Sequence, residues 1–508
     1  MDGPVVKLTR LGYIVDKRTL SDDLEKKIKS ELTVVPKVDS SYSKVIVEKS
    51  FKVFTEDEKF ISVPKYYGIN RFGKPENNRL ETYNYPTYDI QYNGNMRPIQ
   101  KIIVDKTFAA FKKNRGGIII AGCGIGKTNM ALYIASKYKL KTLFLVHASF
   151  LLNQIVSRIQ SVTNIDKVGL IRSNKIDTNH AFTVGMIQSI VSRDYGEDVF
   201  KDFGLVIIDE VHHTGAETFS TVYQKVCAKY MLGITAESER NDGMYKIINW
   251  YLGPVIHFEE QRPNDMVVVK RFYYFTSEKN LCKTFYIQGG SSSKVVNRSK
   301  MITNLSKNDK RNEFAISIIL VVFKMEYKIL ILVARITQVD EFYSTFRKNK
   351  KTRAHVGKYI GGMKDADLDK SALKQIIIAT YSMAQEGLDI PDFRVAFLVS
   401  PKGVVKQATG RILRRELYDY HPLVLELVDK DNVVFTKQAD RREEYYLKQQ
   451  YRVHSEHFSD CDERDHISTS DVKSIKRFIE HIPEIVINKP RKFDISQVMC
   501  IDDSSDEI

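Results

Sequence analysis

Lys127 and Thr128 close a glycine-rich run, Ala121-Gly122-Cys123-Gly124-Ile125-Gly126. These residue types at this spacing suit phosphate chemistry. Glycines let backbone N–H groups turn inward and approach a phosphate closely. The ammonium can reach the β- and γ-phosphates of a nucleotide, and the hydroxyl can ligate Mg²⁺. Two carboxylates, Asp209 and Glu210, end the apolar run Leu205-Val206-Ile207-Ile208. Asp209 would hold the metal, directly or through water, and Glu210 would polarise an attacking water as general base. Gln407, Gly410, Arg411 and Arg414 recur at i, i+3, i+4 and i+7, one face of a helix. Two guanidiniums aimed from one domain at a nucleotide on another are arginine fingers. A basic solvated helix is the alternative, but Gly410, costing ~1 kcal/mol in mid-helix, argues for close approach. The chemistry expected is hydrolysis of ATP with Mg²⁺ as cofactor.

These groups need elements that hold them. An apolar run, Gly117-Ile118-Ile119-Ile120, precedes the glycine loop, and a helical pattern follows from Asn129. Strand, loop and helix N-terminus form a phosphate cradle, to which the helix end adds partial positive charge. The alternative is a glycine turn between a buried strand and a helix. Arg97-Pro98-Ile99-Gln100 opens a helical pattern over 101–113 just upstream, and the donor and acceptor of Gln100 suit an adenine edge. Residues 141–146 read as a buried strand, and 149–159 as a helix with Gln154 and Arg158 on one face. Residues 182–189 read as a strand and then a loop holding Gln188. Polar groups at such strand ends touch a phosphodiester backbone; ordinary βα turns remain the alternative. Asp209 and Glu210 stand at the C-terminal end of a strand, where open α/β sheets bind ligands. His212 reads either as a satisfied core histidine or, the reading preferred, as a relay from the γ-phosphate site to the neighbouring domain. Thr235 and Glu237 end the strand-like run 231–236 and are placed to sense the γ-phosphate.

A second α/β unit follows. Helices are expected over 309–324 and 337–348, strands over 328–333, 375–380 and 395–400, and a helix from Val405. The domain plan expected is an accessory α/β domain 1–95, a nucleotide-binding domain 96–260, a connector 261–305, a second domain 306–430 and an extension 431–508. In the first, strands near 5–8 and 43–47 and a helix from Ser21 are expected. Tyr66-Tyr67-Gly68-Ile69-Asn70-Arg71-Phe72 suits a small core better than a nucleic-acid surface. The connector is strand-rich and basic, with a Gly/Ser loop over 288–294. The extension holds a helix over 438–451, a basic run 489–492 and an acidic tail 502–507 expected to be disordered.

At 508 residues the chain exceeds one core. Its net charge of +15 points to a polyanionic partner, most simply nucleic acid. Five scattered cysteines without a CxxC argue against a zinc site or disulfide framework. No apolar run approaches the ~18 residues of a membrane span, and the N-terminus lacks a signal-peptide pattern. A soluble, intracellular protein is expected, with nucleus or cytoplasm left open.

The ordered blocks resemble the superfamily-2 helicases of the DExH type. AxxGxGKT is Ala121–Thr128, DEVH is Asp209-Glu210-Val211-His212, and the next block is Thr235-Ala236-Glu237. Arg97-Pro98-Ile99-Gln100 and Arg240-Asn241-Asp242-Gly243 narrow the resemblance to the branch of the UvsW and XPB-type translocases and the transcript-release helicases of large DNA viruses. Where that branch has Ala-Thr-Pro, this chain has Ala236-Glu237-Ser238. QxxGRxxR is Gln407 to Arg414. Thr380, Glu386, Gly387 and Asp389 match the motif that links backbone phosphates to the ATP cleft. The resemblance thus assigns Thr380 to nucleic acid and Gly387 and Asp389 to the ATP site. It implies two tandem RecA-like domains, parallel sheets with helices on both faces, and ATP-driven unwinding or translocation. DNA is favoured as substrate by the branch alone, and RNA is the first rival. A termination factor that strips transcripts from polymerase is the second, and a binding module with a dead ATPase the third. Transcription or replication machinery would be the protein partner, with no membrane, and a viral chain would work in the virion or virus factory.

Overall fold

The computed structural model describes residues 4–36, 50–122, 124–215, 217–237, 243–259, 266–288, 294–386, 390, 393–403, 405–410, 421–461 and 466–481. Within them lie two eight-stranded sheets with helices on both faces.

The first sheet runs Lys175–Ile176, Gly169–Arg172, Phe182–Met186, Thr142–Val146, Leu205–Asp209, Tyr230–Thr235, Gly116–Ile120 and Val255–Phe258. All its pairings are parallel except that of the outermost strand. Runs such as Leu205-Val206-Ile207-Ile208 are buried throughout, as strands covered on both faces must be. Alternate residues feed two cores. Ile119, Phe144, Ile207 and Ile234 pack with Val104, Met130 and Ile155. Ile118, Leu145, Ile208 and Met231 pack with Ile190, Ile247 and Leu252. Every strand of the nucleotide site points its C-terminal end the same way, so their end residues assemble at one edge.

The second sheet runs Val356–Tyr359, Ile376–Thr380, Ile329–Val333, Val395–Leu398, Leu423–Asp429, Val268–Phe275, Arg452–Ser459 and Ile467–Ser468, parallel throughout. It draws on residues from both sides of 306–430. The stretch expected to be a connector contributes the strand Val268–Phe275, and the extension contributes Arg452–Ser459 beside it. Lys270 and Arg271 interrupt the apolar pattern of that strand and are fully buried. Lys270 Nζ donates to the His481 carbonyl at 2.6 Å. Arg271 Nη1 donates to Glu443 Oε2 at 2.5 Å, and its Nη2 to the Ala439 carbonyl at 2.9 Å. Arg442, on the helix Val433–Lys448, donates to Glu426 Oε1 through Nε at 3.0 Å and Nη2 at 2.6 Å. Those bonds fasten the extension to the sheet. Farther along, Arg311 grips Asp429 with two bonds, at 2.6 and 2.9 Å, where both side chains are buried.

The N-terminal residues form a five-stranded sheet, ordered Thr55–Glu56, Phe60–Val63, Gly12–Asp16, Val6–Thr9 and Asn77–Asn78. Ser21 caps the helix Asp22–Glu31, accepting from the Leu24 N–H. The strand expected near 43–47 lies outside the described residues. Tyr66 to Phe72 belong to the helix Lys65–Phe72, whose Tyr66 and Tyr67 are buried. Tyr67 meets Trp250 edge-on at 5.7 Å, and Tyr66 donates to the Asn114 carbonyl at 2.8 Å. This is the core role, and it joins the N-terminal unit to the first sheet in one continuous apolar cluster. The strands Tyr286–Gln288 and Lys294–Val296 pair as a hairpin across the Gly/Ser segment, whose residues 289–293 lie outside those described.

Candidate active site

The glycine loop leaves the strand Gly116–Ile120 and enters the helix Lys127–Tyr138. Gly124 and Gly126 have φ of 85° and 87°, in the left-handed region that favours glycine. A Cβ on Gly126 would meet Gln100 Nε2 at 2.4 Å, so the loop there has no room for a side chain. Lys127 Nζ donates to the carbonyls of Ala121 at 3.0 Å and Gly122 at 3.2 Å, which holds the ammonium over the mouth of the loop. Cys123 lies outside the described residues.

Arg97 and Gln100 grip this loop from the start of the helix Pro98–Asn114. Gln100 Oε1 accepts from the Arg97 backbone N–H at 2.8 Å, and its Nε2 donates to the Ile125 carbonyl at 2.6 Å. Arg97 Nη2 donates to the carbonyls of Gly124, at 2.8 Å, and Ile125. Both ends of the Gln100 amide are therefore engaged within the protein, and the pair positions the loop. One N–H and one lone pair of the amide remain for a base edge.

Asp209 ends its strand 9% exposed, with Oδ1 accepting from the Glu210 N–H at 2.9 Å. Burial and the charge of Glu210 push the Asp209 carboxyl up to about 6. Burial acts on Glu210 too, but the His212 hydrogen bond and the Lys127 charge outweigh it and hold Glu210 below the usual carboxylate range. Glu210 has φ of 46°, a left-handed conformation that costs a side-chain-bearing residue energy and recurs at functional sites.

The three residues read as a relay come together. His212 Nδ1 lies 2.8 Å from Thr235 Oγ1 and 3.4 Å from Glu210 Oε2. Its Nε2 lies 3.6 Å from Glu237 Oε2. Thr235 Oγ1 also reaches Glu210 Oε2 at 3.5 Å and accepts from the Glu237 N–H at 3.1 Å. The residues 238–242 that follow lie outside those described.

Two further histidines stand beside this set and were not singled out from sequence. The rings of His147 and His213 are 4.2 Å apart, and those of His212 and His213 are 4.1 Å apart. The signal for His147 was its place just past the strand Thr142–Val146. Gln188 opens the helix Ile187–Ser192 and donates from Nε2 to the His147 carbonyl. Gln154 sits half-buried on the helix Ser149–Val162, apart from that contact. In the second unit Thr380 ends its strand with Oγ1 at 3.2 Å from Ser382 Oγ. Gln407 lies on the short helix Lys406–Thr409. Gly387, Asp389, Arg411 and Arg414 lie outside the described residues.

The family model described as "Type III restriction enzyme, res subunit" matches residues 93–240, which include the loop, the carboxylates and the relay. Over 480 residues the chain is 48% identical to "Putative ATP-dependent RNA helicase L396" of Acanthamoeba polyphaga mimivirus, covering 94% of this chain and 92% of that protein. The chain belongs to the superfamily-2 helicases. It is also 26% identical over 428 residues to "DNA 3'-5' translocase XPB2" of Sulfurisphaera tokodaii, which covers 76% of this helicase and 92% of its relative. S. cerevisiae Dbp5 bound to RNA and ADP BeF3 shares the tandem RecA-like fold. Its TM-score is 0.51 at 12% identity, over 75% of this helicase and 93% of that chain. The helicase is thus an ATP-hydrolysing enzyme that acts on nucleic acid, of the kind found in large DNA viruses. Among the described residues no helix is long and apolar enough to cross a membrane.

Proposed function

We propose that this helicase is a DNA translocase in which the nucleotide site reports its state through Thr235 and His212. The observation carrying this reading is the unbroken link from Glu210 through Thr235 and His212 to Glu237. Lys127 and the loop N–H groups bind the β- and γ-phosphates. Arg97 and Gln100 keep the loop in shape, and Gln100 offers its spare N–H to the adenine. Glu210 accepts the proton of the attacking water. Its hydrogen bond to His212 means that a proton gained or lost there changes what Thr235 and Glu237 feel.

Mg²⁺ fits this site. Among the described residues no group of three or more His, Cys, Asp or Glu could hold a metal alone. A buried Asp209 raised to about 6 by burial and by Glu210 offers one carboxylate, as expected of an ion that shares its coordination with substrate phosphates. Thr128 and Asp209 would hold it, and its charge would offset that of the phosphates.

Arg411 and Arg414 complete the site from the second unit, with Gln407, Gly387 and Asp389 beside them. Gln154, Gln188 and Thr380 contact backbone phosphates, so closing the cleft on ATP shifts one grip relative to the other. The name of XPB2 supports DNA, and the name of L396 supports RNA as a second reading. Release of transcripts from a polymerase, within a virion or virus factory, would use the same motor. ATP turnover with single-stranded DNA, duplex DNA and RNA compared, together with a transcript-release assay, tests these readings. Stimulation by RNA alone would overturn the DNA reading.

A further inference from the structure

The end of the second sheet remote from Thr380 carries positive charge that the motor does not use. Val356, Ile376, Ile329 and Val395 begin four adjacent parallel strands in register. The residues just before them, His355, Gln375, Lys328 and Arg394, therefore form a row across the sheet. Backbone bonds tie the row: Ile376 N–H to the His355 carbonyl at 2.9 Å, Ile329 N–H to that of Gln375 at 2.9 Å, and Arg394 N–H to that of Lys328 at 3.1 Å. At ~4.8 Å between strands the row spans ~14 Å, and Thr380 lies ~13 Å away at the opposite end of its strand.

Beside this row the chain runs Arg347-Lys348-Asn349-Lys350-Lys351-Thr352-Arg353, and all five cations are exposed. Among the described residues none of them, nor Lys324, Lys328 or Lys374, forms an ion pair; Lys358 with Asp340 does so nearby. They are held instead by carbonyls, which fix a cation without neutralising it. Lys328 donates to Ala372 at 2.9 Å, Lys374 to Ala354 at 2.9 Å and Arg347 to Arg353 at 2.8 Å. Glu326 is the one carboxylate in the hollow lined by Lys328, His355, Lys374 and Gln375. Flat groups are interleaved with the charge: Arg394 covers the Tyr327 ring at 3.6 Å, and His355 meets Phe323 at 5.4 Å.

We propose that this end of the second unit is a separate nucleic-acid surface that grips the phosphate backbone of a duplex flanking the motor. The proposal rests on the helicase reading. Duplex DNA presents one charge per ~1.7 Å of axis, so a 14 Å row faces ~8 phosphate charges. Cations alone hold a backbone without reading bases. A duplex already engaged by the motor is tethered at high local concentration, which favours it over an acidic protein as occupant.

The test uses the full chain with Lys348, Lys350, Lys351 and Arg353 all changed to Ala; Arg347 is kept because it shapes the loop. Affinity for a duplex of ~40 base pairs is measured between about 50 and 200 mM salt. ATP turnover is measured at saturation with a strand too short to reach the row. Duplex affinity should fall at least ~tenfold at low salt, and the log–log salt slope by ~0.9 for each phosphate no longer neutralised. Maximal turnover should not change. Changing Lys348, Lys350 and Lys351 to Arg should bind as wild type, and the milder K350E/K351E should weaken binding even if the fourfold variant misfolds. Unchanged affinity and slope would overturn the proposal and leave an acidic protein as the partner. Loss of maximal turnover with the binding would also overturn it, by placing the row in the motor track. If wild-type turnover ignores nucleic acid, the motor reading fails, while duplex affinity still reads this surface.

Discussion

His212 Nδ1 and Thr235 Oγ1 lie 2.8 Å apart, joining the end of one central strand to the turn after its neighbour. Both groups are buried, so the bond is made in a medium that strengthens it and penalises its loss. Glu210 and Glu237 stand on its two sides. Through His212 the general base and Glu237 therefore share one side chain.

Changing Thr235 and Glu237 together to Ala should separate hydrolysis from movement. Nucleic-acid-stimulated turnover should stay within about tenfold of wild type, because Glu210 keeps its His212 bond. Unwinding should drop by ~10²-fold, as expected when reacting parts lose their alignment. Parallel measurement of both activities decides it; equal loss would make the block catalytic or structural instead.

Gln100→Ala removes the amide that holds the Ile125 carbonyl. One such bond, worth ~1–1.5 kcal/mol, corresponds to a rise in KM for ATP of about tenfold with kcat nearly kept. If the spare N–H also reads adenine, the variant will lose its preference for ATP over GTP. Gly126→Ala should be worse, since its Cβ meets Gln100 in a left-handed backbone. Steady-state kinetics with both nucleotides checks the pair, and an unchanged KM in Gln100→Ala would refute the anchoring role.

Much of this was legible in the residues. Gly124, Gly126 and Lys127 read correctly as a loop between strand and helix because local spacing alone specifies that geometry. The helix Asp309–Lys324 was read to its ends. The strand Val268–Phe275 was not recognised as part of the second sheet. Its Lys270 and Arg271 look like solvated charge until Glu443, 172 residues away, is brought beside Arg271. His147 was missed for a related reason: nothing local marks it, and only the parallel order of the sheet sets it against His213. Pairings over long separations leave no local periodicity.

The buried ions make a stability prediction. Arg311→Met would leave Asp429 buried without its partner, and breaking such a pair costs ~3–5 kcal/mol. Replacing both by apolar residues of similar size should recover most of that. Urea unfolding of the two variants gives the comparison. Equal stability of wild type and Arg311→Met would show that water reaches Asp429.

Arg411→Ala should remove the stimulation of turnover by nucleic acid, a loss of ~10³–10⁵ in rate for a finger in cis. Strand affinity should stay nearly intact, and it should weaken steeply with salt in both proteins. Binding and turnover measured at two salt levels test this; a stimulated rate equal to wild type would remove Arg411 from the site.

The central claim is that Glu210 is the base of a hydrolysis driven by nucleic acid. The most direct measurement is ATP turnover against DNA concentration for wild type, Glu210→Gln and Lys127→Ala, with ATP binding followed in each. Wild type should be strongly stimulated. Glu210→Gln should bind ATP and lose ~10²–10⁴-fold in turnover, and Lys127→Ala should lose binding as well. Near-normal turnover in Glu210→Gln, or a wild-type basal rate already equal to the DNA-saturated rate, would contradict it.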